Sequence, residues 1–139
     1  MIALARKMDL FSIVYVATPE EAVEMAKAGA DAIIAHVGTT VGGSIGVTKA
    51  VVTWNFTLKR TQDIIDAASR VRKDIFFLCH GGPINTPEDA NRVMQGTDAV
   101  GFVGASSLER MGVEASLTNL TRDFKKLKAP AAKKFGKKK

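Results

Sequence analysis

Short β-branched segments alternate with amphipathic segments along most of this 139-residue chain, and this alternation limits the possible folds more than any other feature. When strands and helices alternate with short connections, the strands run parallel and are joined by right-handed crossovers. The sequence predicts four strands, at residues 12–16, 31–37, 74–79 and 99–103. We therefore expect an α/β fold built from parallel (β/α) units.

Predicted helices occupy the segments between these strands. Residues 1–10 have the spacing of a helix that is ending, and residues 57–72 form a long amphipathic pattern. Residues 47–55 favour neither a helix nor a strand. After the fourth strand, the sequence predicts one helical turn at 106–110 and a final amphipathic helix at 113–127.

Two predicted helix starts are near-copies of each other. Thr-Pro-Glu-Glu-Ala begins at Thr18 and Thr-Pro-Glu-Asp-Ala begins at Thr86, and each combines a hydroxyl N-cap, a proline and first-turn acids. Each helix is expected to end at the glycine of a Gly-x-Asp-Ala motif, Gly29 or Gly96, before the next strand. A doubly wound sheet and a (β/α) barrel both contain such units, but the internal repeat favours a barrel. Four strands are half of an eight-stranded barrel.

A run of lysines explains the net charge of +6. Residues 124–139 contain eight lysines and no acid, which leaves 12 basic and 14 acidic residues in 1–123. We therefore predict one half-barrel domain at 1–127 and a disordered lysine-rich tail at 128–139. The tail lacks the interleaved aromatic residues of a specific nucleic-acid site, although weak attraction to RNA or to anionic surfaces is an open alternative.

The single cysteine, Cys79, excludes an intrachain disulfide and fits a reducing compartment, so we expect a cytoplasmic location. Because Cys79 lies inside an apolar run, its thiol is predicted to be buried and unreactive. The apolar runs are short and interrupted, which predicts no membrane span. The first ten residues lack the pattern of a signal peptide.

Histidines mark the ends of two predicted strands, at the edge where parallel (β/α) folds bind their ligands. His36 lies at the end of the second strand, and His80 directly follows the third. Because these strands are adjacent, we expect both imidazoles to lie within the span of one ligand. A neutral imidazole suits general acid–base catalysis, so both residues are candidate catalytic groups. The alternative is that a backbone hydrogen bond simply holds each ring near the rim.

Glycines and serines near these histidines predict a site for an anion. Backbone N–H groups can approach a phosphate closely at glycines, and a helix start directs its positive end at the anion. The loop after the second strand is flexible enough to close over a site, although ordinary surface turns also fit these segments. The candidate phosphate-binding residues are Gly81, Gly82, Gly104, Ala105, Ser106 and Ser107. Arg110 could pair with the same anion or with Glu109 or Glu114.

The same residues do not predict a protein-built metal site. Two histidines without further ligands are too few for zinc. No cofactor is required by the pattern, and a single Mg²⁺ held mainly by substrate oxygens is the alternative.

Four motifs carry a resemblance to a known family. They are Gly-Ala-Asp-Ala-Ile-Ile-Ala-His ending at His36, Gly-Gly-Ser-Ile-Gly from Gly42, Cys-His-Gly-Gly-Pro-Ile from Cys79, and Gly-Ala-Ser-Ser-Leu-Glu-Arg ending at Arg110. Over residues 1 to about 127 the chain resembles the phosphoenolpyruvate hydrolase-like TIM-barrel family, which also forms the C-terminal domain of plant tobamovirus-resistance proteins. The resemblance implies a (β/α)₈ barrel acting on phosphoenolpyruvate-like substrates. It also implies that the substrate-binding and catalytic residues include His36, Gly42, Gly43, Ser44, His80, Gly81, Gly82, Gly104, Ser106, Ser107 and Arg110.

Family barrels are about twice this length, so the resemblance is to their C-terminal half. A lone half-barrel leaves two open parallel edges, and we expect a homodimer or another subunit to complete it. The first functional hypothesis is a TIM-barrel enzyme-type domain that binds a small phosphorylated or carboxylated substrate and acts as a phosphoenolpyruvate hydrolase. The alternative is a non-catalytic ligand-binding or interaction module derived from such a barrel.

Overall fold

Thr18 and Thr86 begin two helices as their motifs predict. The computed structural model describes residues 1–42, 47–48 and 51–127, with 110–111 described by their backbone alone. In it, each threonine hydroxyl accepts a hydrogen bond of 3.2 Å. The donors are the backbone N–H groups of Glu21 and Asp89. The carboxylates of those two residues accept in return from the N–H groups of the threonines. Each reciprocal pair satisfies N–H groups that a helix start otherwise leaves unpaired.

These two helices belong to the predicted alternation of strands and helices, which is confirmed. The elements before the final helical region are α1 (Ile2–Lys7), β1 (Ile13–Val16), α2 (Pro19–Ala28), β2 (Ala32–His36), α3 (Trp54–Ser69), β3 (Phe76–His80), α4 (Pro87–Gly96) and β4 (Gly101–Phe102). They are followed by α5 (Ser106–Leu108), a π-helical segment (Glu109–Glu114) and α6 (Ala115–Lys125).

The described strands form one parallel sheet in the order β1-β2-β3-β4. Sequential order with parallel strands is the arrangement of a (β/α) barrel, whereas a doubly wound sheet reverses its strand order. Within the described residues, β1 and β4 each pair with one strand, and their outer edges are unpaired.

Helices cover one face of this sheet. Ile33, Phe77 and Cys79 point to that face and are at most 7% exposed, packed with Ile64 of α3 and Val93 of α4. The opposite face is the one that points into a closed barrel. On it, Ile13, Tyr15 and Phe76 are each more than half exposed. The core of the described residues therefore lies between the sheet and its helices.

Helix α3 begins earlier than the sequence pattern predicts. It starts at Trp54, inside the undecided segment, because the Thr53 hydroxyl accepts a hydrogen bond of 3.2 Å from the Phe56 N–H. Thr57, the predicted first residue, is fully buried within the first turn.

The two glycines of the repeat behave differently. Gly29 ends α2 in the left-handed conformation at φ 96°, as predicted. Gly96 is the last residue of α4, so the predicted end of the second helix is confirmed, but its cap differs: Thr97 follows in extended conformation.

The final helical region is continuous, in contrast to the separate turn and helix that the sequence predicts. The π-helical segment joins α5 directly to α6. No described helix is long and apolar enough to cross a membrane. The predicted tail at 128–139 lies outside the described residues.

Candidate active site

His36 and His80 lie side by side on the open face of the sheet. They are register partners at the carboxyl ends of β2 and β3, and their ring centroids are 5.2 Å apart. Because register partners point to the same face, both imidazoles project from the edge where barrel enzymes bind substrates. The expectation that the two rings lie within the span of one ligand is met.

Tyr15 contributes a third ring that sequence reasoning missed. Its ring meets those of His36 and His80 edge-on, with centroid distances of 5.8 Å and 5.2 Å. Because side chains alternate along β1, Ile13 and Tyr15 lie on the same face of the sheet. Which of the two faces this is depends on the register of β1 with β2. That register, which pairs Tyr15 with Ile34, is a tertiary feature that the sequence does not display.

The backbone fixes different tautomers of the two imidazoles. Nδ1 of His80 lies 2.7 Å from the carbonyl oxygen of Val103, and since a carbonyl accepts, Nδ1 carries the proton. Nδ1 of His36 instead accepts a hydrogen bond of 3.3 Å from the Gly38 N–H. In the neutral rings, His80 therefore keeps a lone pair on Nε2 as a proton acceptor, and His36 keeps an Nε2–H as a donor.

The environment keeps His36 uncharged. Burial lowers the pKa of the His36 imidazole below its ordinary value of 6.5, and the neighbouring His80 lowers it further. Both causes disfavour the imidazolium, because it would be poorly solvated and close to a second basic ring. At neutral pH, His36 is therefore a hydrogen-bond donor without a positive charge.

Gly81 and Gly82 join the loops after β2 and β3. They have φ values of +84° and +57°, and a Cβ on Gly81 would overlap the carbonyl oxygen of Gly38. That carbonyl accepts a hydrogen bond of 2.8 Å from the Gly82 N–H, and the Gly82 carbonyl accepts one of 3.2 Å from the Val41 N–H. The Gly82 N–H thus already donates to a carbonyl oxygen of the protein. The anion-binding role of this glycine pair stays a prediction.

The loop predicted to close over the site is described in part. Gly42 packs against the side chain of Asn85, where a Cβ would come within 2.6 Å of the amide nitrogen. This contact again links the loops after β2 and β3. Gly43, Ser44 and the side chain of Arg110 lie outside the described residues, so their predicted roles stay predictions.

Of the predicted anion-binding residues at 104–107, Ser107 lines a separate cavity of about 380 Å³. Gly104 allows the side chain of Leu108 to approach closely, since a Cβ there would lie 2.5 Å from Leu108 Cγ. The buried hydroxyl oxygen of Ser107 has no hydrogen-bond partner among the described residues. Ala105 N-caps α5 and Ser106 is its first residue. The rings of the two histidines do not line this cavity, so the fold places the two predicted parts of the site next to each other without merging them.

The described residues contain no group of three or more His, Cys, Asp or Glu side chains that could hold a metal ion. Cys79 is fully buried, and burial raises the pKa of its thiol to about 11, as predicted for an unreactive core cysteine.

Comparison with protein families gives a match over most of the chain. The model of the phosphoenolpyruvate hydrolase-like family matches residues 1–127. Two relatives from Solanum lycopersicum, ToMV resistance protein Tm-1(GCR237) and ToMV susceptible protein tm-1(GCR26), are each 46% identical over 128 residues. The match covers 91% of this chain and 17% of each relative, so the chain spans a small part of their length.

Solved structures of TIM-barrel enzymes are similar to the chain. A nitroalkane oxidase from Streptomyces ansochromogenes has a TM-score of 0.50 at 27% identity, over 77% of this chain and 30% of that one. An N-acetylmannosamine-6-phosphate 2-epimerase from Clostridium perfringens has a TM-score of 0.51 at 17% identity, over 88% of this chain and 47% of that one. The second likeness concerns the fold alone, and it identifies the four-stranded sheet as half of a (β/α)₈ barrel.

Proposed function

The chain belongs to the phosphoenolpyruvate hydrolase-like family, and we propose that it binds a small phosphorylated or carboxylated molecule beside His36 and His80 and hydrolyses a phosphoenolpyruvate-like substrate there. One observation carries the proposal: two imidazoles 5.2 Å apart, on an open face, hold a proton acceptor and a proton donor at their Nε2 atoms. General acid–base chemistry requires such unlike groups in one place.

The proposed reaction uses each imidazole once. Water attacks phosphorus, the bond between phosphorus and the enol oxygen breaks, and the proton of the water passes to Nε2 of His80. The Nε2–H of His36 donates a hydrogen bond to the oxygen on which negative charge develops. The enolate then takes up a proton from solvent at carbon and His80 releases its proton to solvent, so one substrate and one water yield phosphate and a 2-oxo acid. Positioning and charge stabilisation supply most of the rate in such phosphoryl transfers.

Tyr15 is a positioning residue in this proposal. Its ring packs edge-on against both imidazoles, which restricts their rotation. The predicted N–H donors at 104–107 would hold the phosphate. Where Mg²⁺ takes part, substrate oxygens would supply most of its ligands, because the described residues offer no cluster of protein ligands for it.

We place this activity in the cytoplasm. The chain has one cysteine, whose thiol is fully buried in the described structure. A reducing compartment therefore has no intrachain disulfide to break and does not lower the stability of the fold. Expression of a tagged chain followed by cell fractionation tests this location.

Phosphate release from phosphoenolpyruvate tests the catalytic proposal. The wild-type chain, His36→Asn and His80→Asn are compared with Asn91→Ala, a matched control on the exposed surface of α4. We expect each histidine variant to lose at least about tenfold in rate and the control to keep the wild-type rate. Equal rates in all four proteins would refute catalysis at this site.

A second candidate function is a non-catalytic ligand-binding or interaction module. The names of the two tomato relatives, a ToMV resistance protein and a ToMV susceptible protein, favour it. Both candidates predict that phosphoenolpyruvate or phosphate raises the melting temperature through binding to the native state. The module predicts this shift without release of phosphate, which separates the two.

A further inference from the structure

We infer that two copies of this chain assemble head to tail, with an apolar stripe on the final helix of each copy lying in the groove between α1 and β1 of the other. The inference does not depend on the proposed reaction. It rests on two exposed apolar surfaces at opposite edges of one sheet.

The first surface is the stripe formed by Val113, Leu117, Leu120 and Phe124. Their spacing of four, three and four residues places them on one side of the continuous helical region. All four are 56–62% exposed, and α6 has no buried residue. A helix with a complete and largely exposed apolar stripe has the form of one half of an interface.

The second surface is an apolar groove of about 400 Å³ beside α1 and β1. Leu4, Met8, Leu10 and Ile13 line it and are 52–61% exposed. Helix α1 also has no buried residue. The groove therefore offers an apolar concave surface to an apolar helix.

The positions of the two surfaces indicate that a second copy of this chain covers both of them. The groove adjoins β1 and the stripe follows β4, and these are the two strands whose outer edges are unpaired in the described sheet. A two-fold rotation about an axis parallel to the strands brings β4 of each copy beside β1 of the other, and all eight strands remain parallel. The barrel closes after two copies, and the same rotation carries each final helix toward the α1–β1 groove of its partner.

The exposed apolar area is sufficient for such an assembly. Burying the exposed parts of the eight side chains removes on the order of 600 Å² per chain, before the strand edges are counted. A stable interface buries about 800 Å² per partner. The chain alone thus carries most of the surface that a dimer requires.

Light scattering after size exclusion tests the inference on the full 139-residue chain. We expect a mass twice that of the 14.9 kDa chain. A stripe variant, Leu117→Glu with Leu120→Glu, and a groove variant, Leu4→Glu with Met8→Glu, should each be monomeric. The matched control, Ala115→Glu with Asn119→Glu, adds the same charge to the opposite side of α6 and should remain a dimer. Circular dichroism verifies that all four proteins are folded.

Mixing the stripe and groove variants separates head-to-tail assembly from pairing of two final helices. In a head-to-tail dimer, the mixed pair retains one intact contact, so association should partly recover. If the groove variant stays dimeric while the stripe variant dissociates, the final helices pair with each other and the inference is wrong. A folded wild-type monomer would also overturn it.

Discussion

The imidazole of His36 lies 5.2 Å from that of His80, and the backbone gives the two rings opposite hydrogen-bonding groups. The Gly38 N–H makes Nδ1 of His36 an acceptor, whereas the Val103 carbonyl makes Nδ1 of His80 a donor. Two identical side chains thus become chemically different through the loops that follow their strands. A proton can therefore be accepted at Nε2 of His80 while the Nε2–H of His36 donates a hydrogen bond.

Tyr15 is expected to act through its ring. Tyr15→Phe keeps the edge-on contacts with both imidazoles, so its affinity for phosphoenolpyruvate should stay within about twofold of wild type, whereas Tyr15→Ala should lose about tenfold. Isothermal titration calorimetry measures both. If Tyr15→Phe is as impaired as Tyr15→Ala, the hydroxyl contacts the ligand directly and the positioning role is wrong.

Acid should destabilise the protein through His36. Its folded-state pKa lies below the ordinary value of 6.5, so between these two values the unfolded chain binds more protons than the native one. The free energy of unfolding should therefore fall as pH drops below 6.5 and level off below the folded-state pKa. Urea unfolding at a series of pH values measures this change.

His36→Asn is the control for that titration, because it removes the group with the lowered pKa. The variant should show a smaller loss of stability across the same pH interval. Identical pH profiles for wild type and variant would show that His36 is not responsible.

Gly81 should be intolerant of a side chain. Gly81→Ala requires alanine at φ +84° with its Cβ against the Gly38 carbonyl, which should lower the free energy of unfolding by about 1–3 kcal/mol. Gly112→Ala is the matched control, since a Cβ there has no atom within 4 Å and the residue is helical. That change should be neutral or stabilise by up to about 1 kcal/mol. Equal effects in urea unfolding would contradict the tight loop at Gly81.

Cys79 should be protected from thiol reagents. The residue is fully buried and burial raises its thiol pKa to about 11, so the thiolate is scarce and inaccessible in the native protein. Labelling with a chromogenic disulfide should be at least about a hundredfold slower in the native protein than in urea. Rapid labelling of the native chain would show that β3 opens readily.

Local sequence signals predicted the parts of the fold that depend on neighbouring residues. The reciprocal caps at Thr18 and Thr86 follow from side chains three residues apart, and the histidines follow from strand ends. Tyr15 was missed because its position depends on the register of β1 with β2. The bond from the Gly82 N–H to the Gly38 carbonyl was missed because it joins loops separated by a whole helix. Contacts between distant segments are set by packing, which a local pattern does not encode.

The most direct test of the proposed site is a ligand titration that follows the two imidazoles by NMR. The chain has two histidines, so His36→Asn and His80→Asn assign both Cε1–H signals. If the open face binds a small anion, phosphoenolpyruvate should shift both signals along one saturating curve, while glycerol, an uncharged control, should shift neither. If neither signal moves with millimolar phosphoenolpyruvate or inorganic phosphate, the histidine pair is not a substrate site and the account is contradicted.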